Sequence, residues 1–145
     1  MHVRGAPAIG AAAAYGMYLA VKNKNDISDL NDLLESAKVK LDTARPTAIN
    51  LAWATEKVRN FSIKQDESSP QEFKLSILNY CHRICESDVL TNMSMAKFGA
   101  ELFEKNPVII HHCNTGSLAT VFYGTALGVI FELYKQGKNP FVYVD

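Results

Sequence analysis

Apolar side chains recur at helical spacing through about the first hundred residues, and from Pro107 onward the period changes. Residues 3–10 read as a loop entering a helix, with Pro7 tolerated in the first turn because its missing N–H has no intrahelical acceptor there. The small residues of 11–21 continue that helix and permit close approach to neighbours. A polar connector over 25–31 offers Ser28 as an N-cap, and Leu30, Leu33, Leu34, Ala37 and Leu41 then mark a second helix to about Asp42. Pro46 disfavours helix at Arg45 and opens a third helix just beyond, carried by Leu51, Trp53, Ala54, Val58 and Phe61. After a charged, serine-rich break over 62–71, Phe73, Leu75, Ile77, Leu78, Cys81, Ile84 and Cys85 give another helix. Its pattern lapses near 88–92 and resumes through Phe103 until Asn106-Pro107.

Beyond Pro107 the expected order is a strand over 108–111, a tight turn, a helix from about Ser117 to Lys135, a turn over 136–140 and a strand over 141–144. Gly124 and Gly128, one turn apart on that helix, would let it pack close on the sheet. A strand, a crossover helix and a second strand make a right-handed βαβ unit with parallel strands. The fold class expected is therefore α/β: an all-helical domain over 1–106, followed over 107–145 by the first βαβ unit of a Rossmann-like parallel sheet, itself incomplete.

Fifteen basic and fifteen acidic side chains cancel, so no general field recruits nucleic acid or an anionic membrane, and any anion binding must be local. Three cysteines without framework spacing point to a reducing compartment, the cytoplasm. The apolar run over 8–20 is rich in Ala and Gly and is followed by Lys22 and Lys24, which does not suit a secretory signal. The uncharged stretch 108–131 is interrupted by His111, His112, Asn114, Thr115 and Ser117, so it reads as strand-turn-helix and not as a membrane span.

Candidate chemistry gathers at the turn after the first strand. Cys113 lies at the strand's carboxyl end, where open α/β sheets hold ligands. With a helix beginning near Ser117, the positive end of its dipole and its free N–H groups would face Asn114, Thr115, Gly116 and Ser117, giving possible phosphate contacts. The same field, with a protonated His112, would lower the thiol pKa. A buried structural cysteine is the competing reading. Arg4 with Gly5 and Ala6, and Arg45, each precede an expected helix start; they are either phosphate ligands or solvated surface arginines. Cys81 and Cys85 share a helix face beside His82, but the spacing matches no zinc signature and packed thiols explain it, so no metal is assigned.

Taken together, Val3-Arg4-Gly5-Ala6-Pro7-Ala8-Ile9-Gly10, Arg45-Pro46-Thr47-Ala48 with Asn50-Leu51, residues 92–100, and His112-Cys113-Asn114-Thr115-Gly116-Ser117-Leu118-Ala119-Thr120 followed by Tyr123-Gly124-Thr125-Ala126-Leu127-Gly128 carry a resemblance. In this order and at these separations the chain resembles the S-methyl-5-thioribose-1-phosphate isomerase family, the aldose-ketose isomerases of methionine salvage. That family is related to the regulatory subunits of translation initiation factor 2B and to ribose-1,5-bisphosphate isomerase. The resemblance implies substrate binding by Arg4, Gly5, Ala6 and Arg45, catalysis by Cys113, no cofactor, and a homodimer. It also implies a second catalytic residue, an aspartate deep in the α/β domain at a position outside this chain, so Asp145 is not assigned that role. Family segments before His2 and after Asp145 make the chain read as a piece of a longer protein, inactive alone.

Overall fold

A computed structural model describes residues 2–26, 28–65 and 69–145. In chain order the elements are α1 (Ala6–Val21), α2 (Leu30–Ala44), α3 (Ile49–Ser62), α4 (Pro70–Glu101), β1 (Val108–His111), α5 (Ala126–Lys135) and β2 (Phe141–Val144). They divide into two compact units, Met1–Cys85 and Glu86–Asp145, with α4 running through the division.

The first unit is helical. Met17, Val21, Leu30, Leu34, Ala54, Val58, Ile77 and Cys81 are fully buried and form one core from all four helices. The alanine- and glycine-rich face of α1 brings its neighbours close: a Cβ on Gly10 would sit 2.9 Å from the Asn50 carbonyl oxygen, and one on Gly16 3.2 Å from Leu41. The first turns of α1 and α3 are thereby pressed together, with Ile9, Ala13 and Leu51 buried between them.

Helix ends differ from expectation at two places. Ser28 is not the cap of α2; its hydroxyl donates to Asp26 and Asp29, and Asp29 holds the N-cap position without a side-chain cap bond. Asp26 Oδ1 takes both the Ser28 backbone N–H and its hydroxyl, which turns the serine away from the helix. Nor does Pro46 open a helix directly. Arg45 closes α2 outside the helical region at φ -144 and ψ 69, a turn follows with the Ala48 N–H donating to the Arg45 carbonyl at 2.9 Å, and α3 begins only at Ile49. The expected break over 62–71 includes 66–68, outside the described residues. At its end Ser69 Oγ accepts the Glu72 N–H and donates to the Glu72 carboxylate, a serine cap at the start of α4.

Helix α4 does not lapse at 88–92 but runs unbroken for 32 residues. The apolar pattern fails there because Asp88 points at a loop, where it accepts the Val121 N–H, and also accepts the Asn92 amide at 3.1 Å, while the helix continues.

In the second unit β1 and β2 pair in parallel, with Val108 opposite Phe141 and His111 opposite Val144. α5 begins at Ala126, not near Ser117, so residues 112–125 form a long loop. Gly124 lies in that loop at φ +88, and Gly128 packs on Ala96 of α4 and on Tyr123, not on the sheet. Gly99 meets Val129 in the same way, where a Cβ would come within 2.6 Å. The C-terminal end of α4 is closed by Lys138, whose Nζ donates to the Ala100 and Phe103 carbonyls at 2.7 and 2.8 Å. The class is as expected: a helical N-terminal region followed by a βαβ unit with parallel strands.

Candidate functional site

The loop between β1 and α5 is tied at several points. His111, the last residue of β1, is 7% exposed and its Nε2 lies 2.6 Å from Thr115 Oγ1. The same hydroxyl oxygen accepts the Leu127 N–H at 2.9 Å, and the Thr115 carbonyl accepts the Thr125 N–H at 2.8 Å. Gly124 folds over this point; a Cβ there would meet the Thr115 oxygen at 2.6 Å, so only glycine fits both the contact and the positive φ. Asp88 Oδ2 accepts the Val121 N–H at 2.9 Å and holds the outer part of the loop to α4.

Cys113 sits within this frame, exposed, at φ +73. A left-handed backbone at a residue other than glycine is held by its surroundings and turns the side chain out at the carboxyl edge of the parallel strands. His112 and Asp145 reach the same edge, where His112 Nδ1 and Asp145 Oδ2 lie 2.8 Å apart with both side chains largely exposed. Asn114 is exposed and its Oδ1 accepts the Gly116 N–H at 3.4 Å.

α5 starts at Ala126 and not near Ser117, so its N-terminus meets the loop through the Leu127 N–H on the Thr115 hydroxyl and not through the backbone of 114–117. The Thr115 hydroxyl is already engaged by His111 and Leu127, and Gly116 is buried against Leu127. Of the four expected anion contacts, Asn114 and Ser117 keep exposed side chains. Ser117 stands on the rim of a cavity of about 470 Å³ walled by Phe122, Leu127, Ile130, Phe131 and Val142. Those walls carry no charge and suit an apolar occupant better than a phosphate.

The other expected ligands lie in the first unit. Gly5 is the N-cap of α1 with extended backbone, its carbonyl accepting the Ile9 N–H at 2.8 Å, and Pro7 occupies the first turn. Arg4 and Ala6 are exposed and Arg45 is half-buried. The close pairing of Gly10 with Asn50 sets the starts of α1 and α3 side by side, each with first-turn N–H groups that have no intrahelical acceptor. Cys113 belongs to the second unit.

Cys81 is fully buried, its thiol donating to the Ala14 carbonyl at 3.1 Å, and burial, with a smaller contribution from Cys85, pushes its pKa up to about 12. That is a packed thiol. His82 is exposed with its Nδ1 2.8 Å from the Tyr15 hydroxyl. Among the described residues no group of three or more His, Cys, Asp or Glu side chains is placed to hold a metal ion, and no helix is long and apolar enough to cross a membrane. Two side chains that shape the loop went unread in the sequence. His111 ends a strand four residues before a threonine, a weak signal; Asp88 lies far away in sequence on α4 and gave none.

The chain thus joins a helical region to the start of a parallel α/β unit. The model of the initiation factor 2 subunit family matches residues 2–145, and the chain belongs to that family. It is 48% identical over 147 residues to a methylthioribose-1-phosphate isomerase of Thermoanaerobacter sp. (strain X514), a match covering all of this chain and 43% of that protein. Among solved structures it is similar to 5-methylthioribose 1-phosphate isomerase from Pyrococcus horikoshii OT3, with a TM-score of 0.87, 31% identity, and coverage of 99% of this chain and 49% of that one. It is similar also to translation initiation factor eIF-2B subunit delta from A. fulgidus, with a TM-score of 0.85, 41% identity, and coverage of 98% and 42%. The chain spans less than half the length of these relatives.

Proposed function

We propose that this chain carries one part of an aldose-ketose isomerase that converts 5-methylthioribose 1-phosphate to 5-methylthioribulose 1-phosphate in methionine salvage. The observation that carries the reading is the exposed thiol of Cys113, held in left-handed backbone at the carboxyl edge of β1. Phosphate on the anomeric carbon locks the furanose ring, so the ring must be opened by protonating its oxygen, and hydrogen must then move from C2 to C1. In this reading Cys113 is a general acid/base in that transfer. Arg4, Gly5, Ala6 and Arg45 bind the substrate, through guanidinium groups and N–H groups at the start of α1, and the exposed side chains of Asn114 and Ser117 add contacts around the phosphate. Charge that develops on the ring and carbonyl oxygens is offset by these donors. The isomerisation is redox-neutral within one molecule and calls for no organic cofactor. We place the protein in the cytoplasm, as a homodimer, with a sugar phosphate and neither nucleic acid nor membrane as its partner.

The similarity to the eIF-2B delta subunit, at higher identity than to the Pyrococcus isomerase, favours a second reading: a regulatory subunit that keeps the fold without catalysis. The test is a hybrid in which this chain replaces the matching segment of the Thermoanaerobacter relative, assayed with methylthioribose 1-phosphate and with ribose 1,5-bisphosphate. Turnover of the first, lowered about a hundredfold or more by Cys113→Ser with substrate binding retained, supports the isomerase. No turnover of either sugar supports the regulatory reading, and preference for the bisphosphate moves the assignment to that isomerase. The 145-residue chain alone is expected to be inactive.

A further inference from the structure

His111 presents a chemical oddity. It is more than nine-tenths buried, yet its Nδ1 has no hydrogen-bond partner. An aliphatic residue at the end of β1 would bury without leaving a polar atom unpaired, so the imidazole is explained by its other nitrogen. That nitrogen meets Thr115 Oγ1 and closes the five-residue loop 111–115, with Cys113 at its centre. The Thr115 hydroxyl in turn takes the Leu127 N–H, and the Thr115 carbonyl takes the Thr125 N–H, so the loop is fixed to β1 at one end and to the first turn of α5 at the other.

We infer that His111 is a positioning residue: through the Thr115 hydroxyl it holds Cys113 in the left-handed geometry that presents its thiol at the strand edge. His111 touches no reacting atom. It sets where the thiol is, and a displacement of about 1 Å in a reacting group is enough to cost on the order of a hundredfold in rate. The inference rests on the isomerase reading for its consequence in turnover, but the hydrogen-bonded chain itself can be tested without it.

In the hybrid enzyme, His111→Phe is expected to lower kcat ten- to a hundredfold with KM changed less than threefold. His111→Gln, whose amide reaches the position of Nε2, is expected to restore most of the loss. Thr115→Val approaches the same bond from the other side and remains informative where the phenylalanine variant folds poorly. Because both act through one contact, the double variant should be no worse than the poorer single one. In the 145-residue chain, hydrogen exchange of the Leu127 amide should quicken at least tenfold in His111→Phe and not in His111→Gln. Equal turnover of the Phe and Gln variants, multiplicative losses in the double variant, or unchanged Leu127 exchange in His111→Phe would each overturn the inference. An inactive parent hybrid would count against the isomerase reading alone, and the exchange measurement would still decide the role of His111.

Discussion

In the unit Met1–Cys85 the interior is made of large aliphatic side chains: Met17, Val21, Leu30, Leu34, Val58 and Ile77 have no exposed surface. In Glu86–Asp145, among the described residues, Leu133 is the large aliphatic side chain buried to that degree, and the remaining close contacts are made by small residues such as Ala96, Ala100, Gly99 and Gly128. What joins the elements of the second unit is polar and specific: Lys138 on two carbonyls of α4, Asp88 on the Val121 N–H, and His111 on Thr115. A core of interchangeable apolar contacts gives stability through summed area. A loop held by a few directed bonds gives geometry, which is what a reacting group needs, at the expense of stability spread over many contacts.

The largest expected difference follows from truncation. Met17→Ala removes a fully buried side chain from the first core and should cost about 2–5 kcal/mol. Ile130→Ala in α5, where the side chain is half-buried beside the open cavity, should cost less than half as much. Trp53, the single tryptophan, reports the first unit by fluorescence during denaturation, and amide exchange reports the second. Equal losses at the two positions would break the contrast between the units.

A smaller effect should come from the polar side. Asp88→Ala leaves the Val121 N–H and Asn92 without their acceptor and should cost about 1–3 kcal/mol, confined to the loop and the adjacent turn of α4. The readout is faster exchange at Val121 with the Trp53 transition unmoved. Asp88→Asn keeps one oxygen acceptor and should recover part of the loss; no recovery would mean that the charge of Asp88, and not its geometry, holds the loop.

This division explains what the residues alone could tell. Helices α1, α2 and α3 stand in the apolar pattern because their buried faces recur along it, whereas both strands stand out as short β-branched and aromatic runs although Ile110, Tyr143 and Val144 are exposed. α4 read as interrupted since Asp88, with Asn92 bonded to it, looks out of the apolar stripe toward Val121, 33 residues away in sequence. α5 read as starting too early since Leu118, Ala119, Val121 and Phe122 continue an apolar pattern in a segment whose backbone is turned by Tyr123 and Gly124, both at positive φ. The turn carrying Cys113 was legible from its small and polar residues. The bonds that fix it were not, because each joins single residues whose pairing leaves no repeat along the chain.

Cys81 allows the driest part of the comparison to be tested by pH. Cys81 lies in the apolar interior, and desolvation there, with Cys85 adding to it, raises its thiol from 9.0 to about 12. Folding thus favours the protonated thiol, while the unfolded chain ionises it at the ordinary value. The stabilisation is complete below pH 9, is lost as the pH climbs from 9 toward 12, and changes no further above that. At pH 10 the loss is on the order of 1 kcal/mol, one unit of pH beyond the unfolded value. Denaturation followed by Trp53 at pH 8 and pH 10 should therefore show a steeper decline for the native chain than for Cys81→Ala. Lys38, whose ammonium is raised by its hydrogen bond to Asp42, titrates in the same region but equally in both chains, so it cancels in the difference. Parallel declines would place water at Cys81 and remove the contrast between a dry helical core and an open loop-bearing unit.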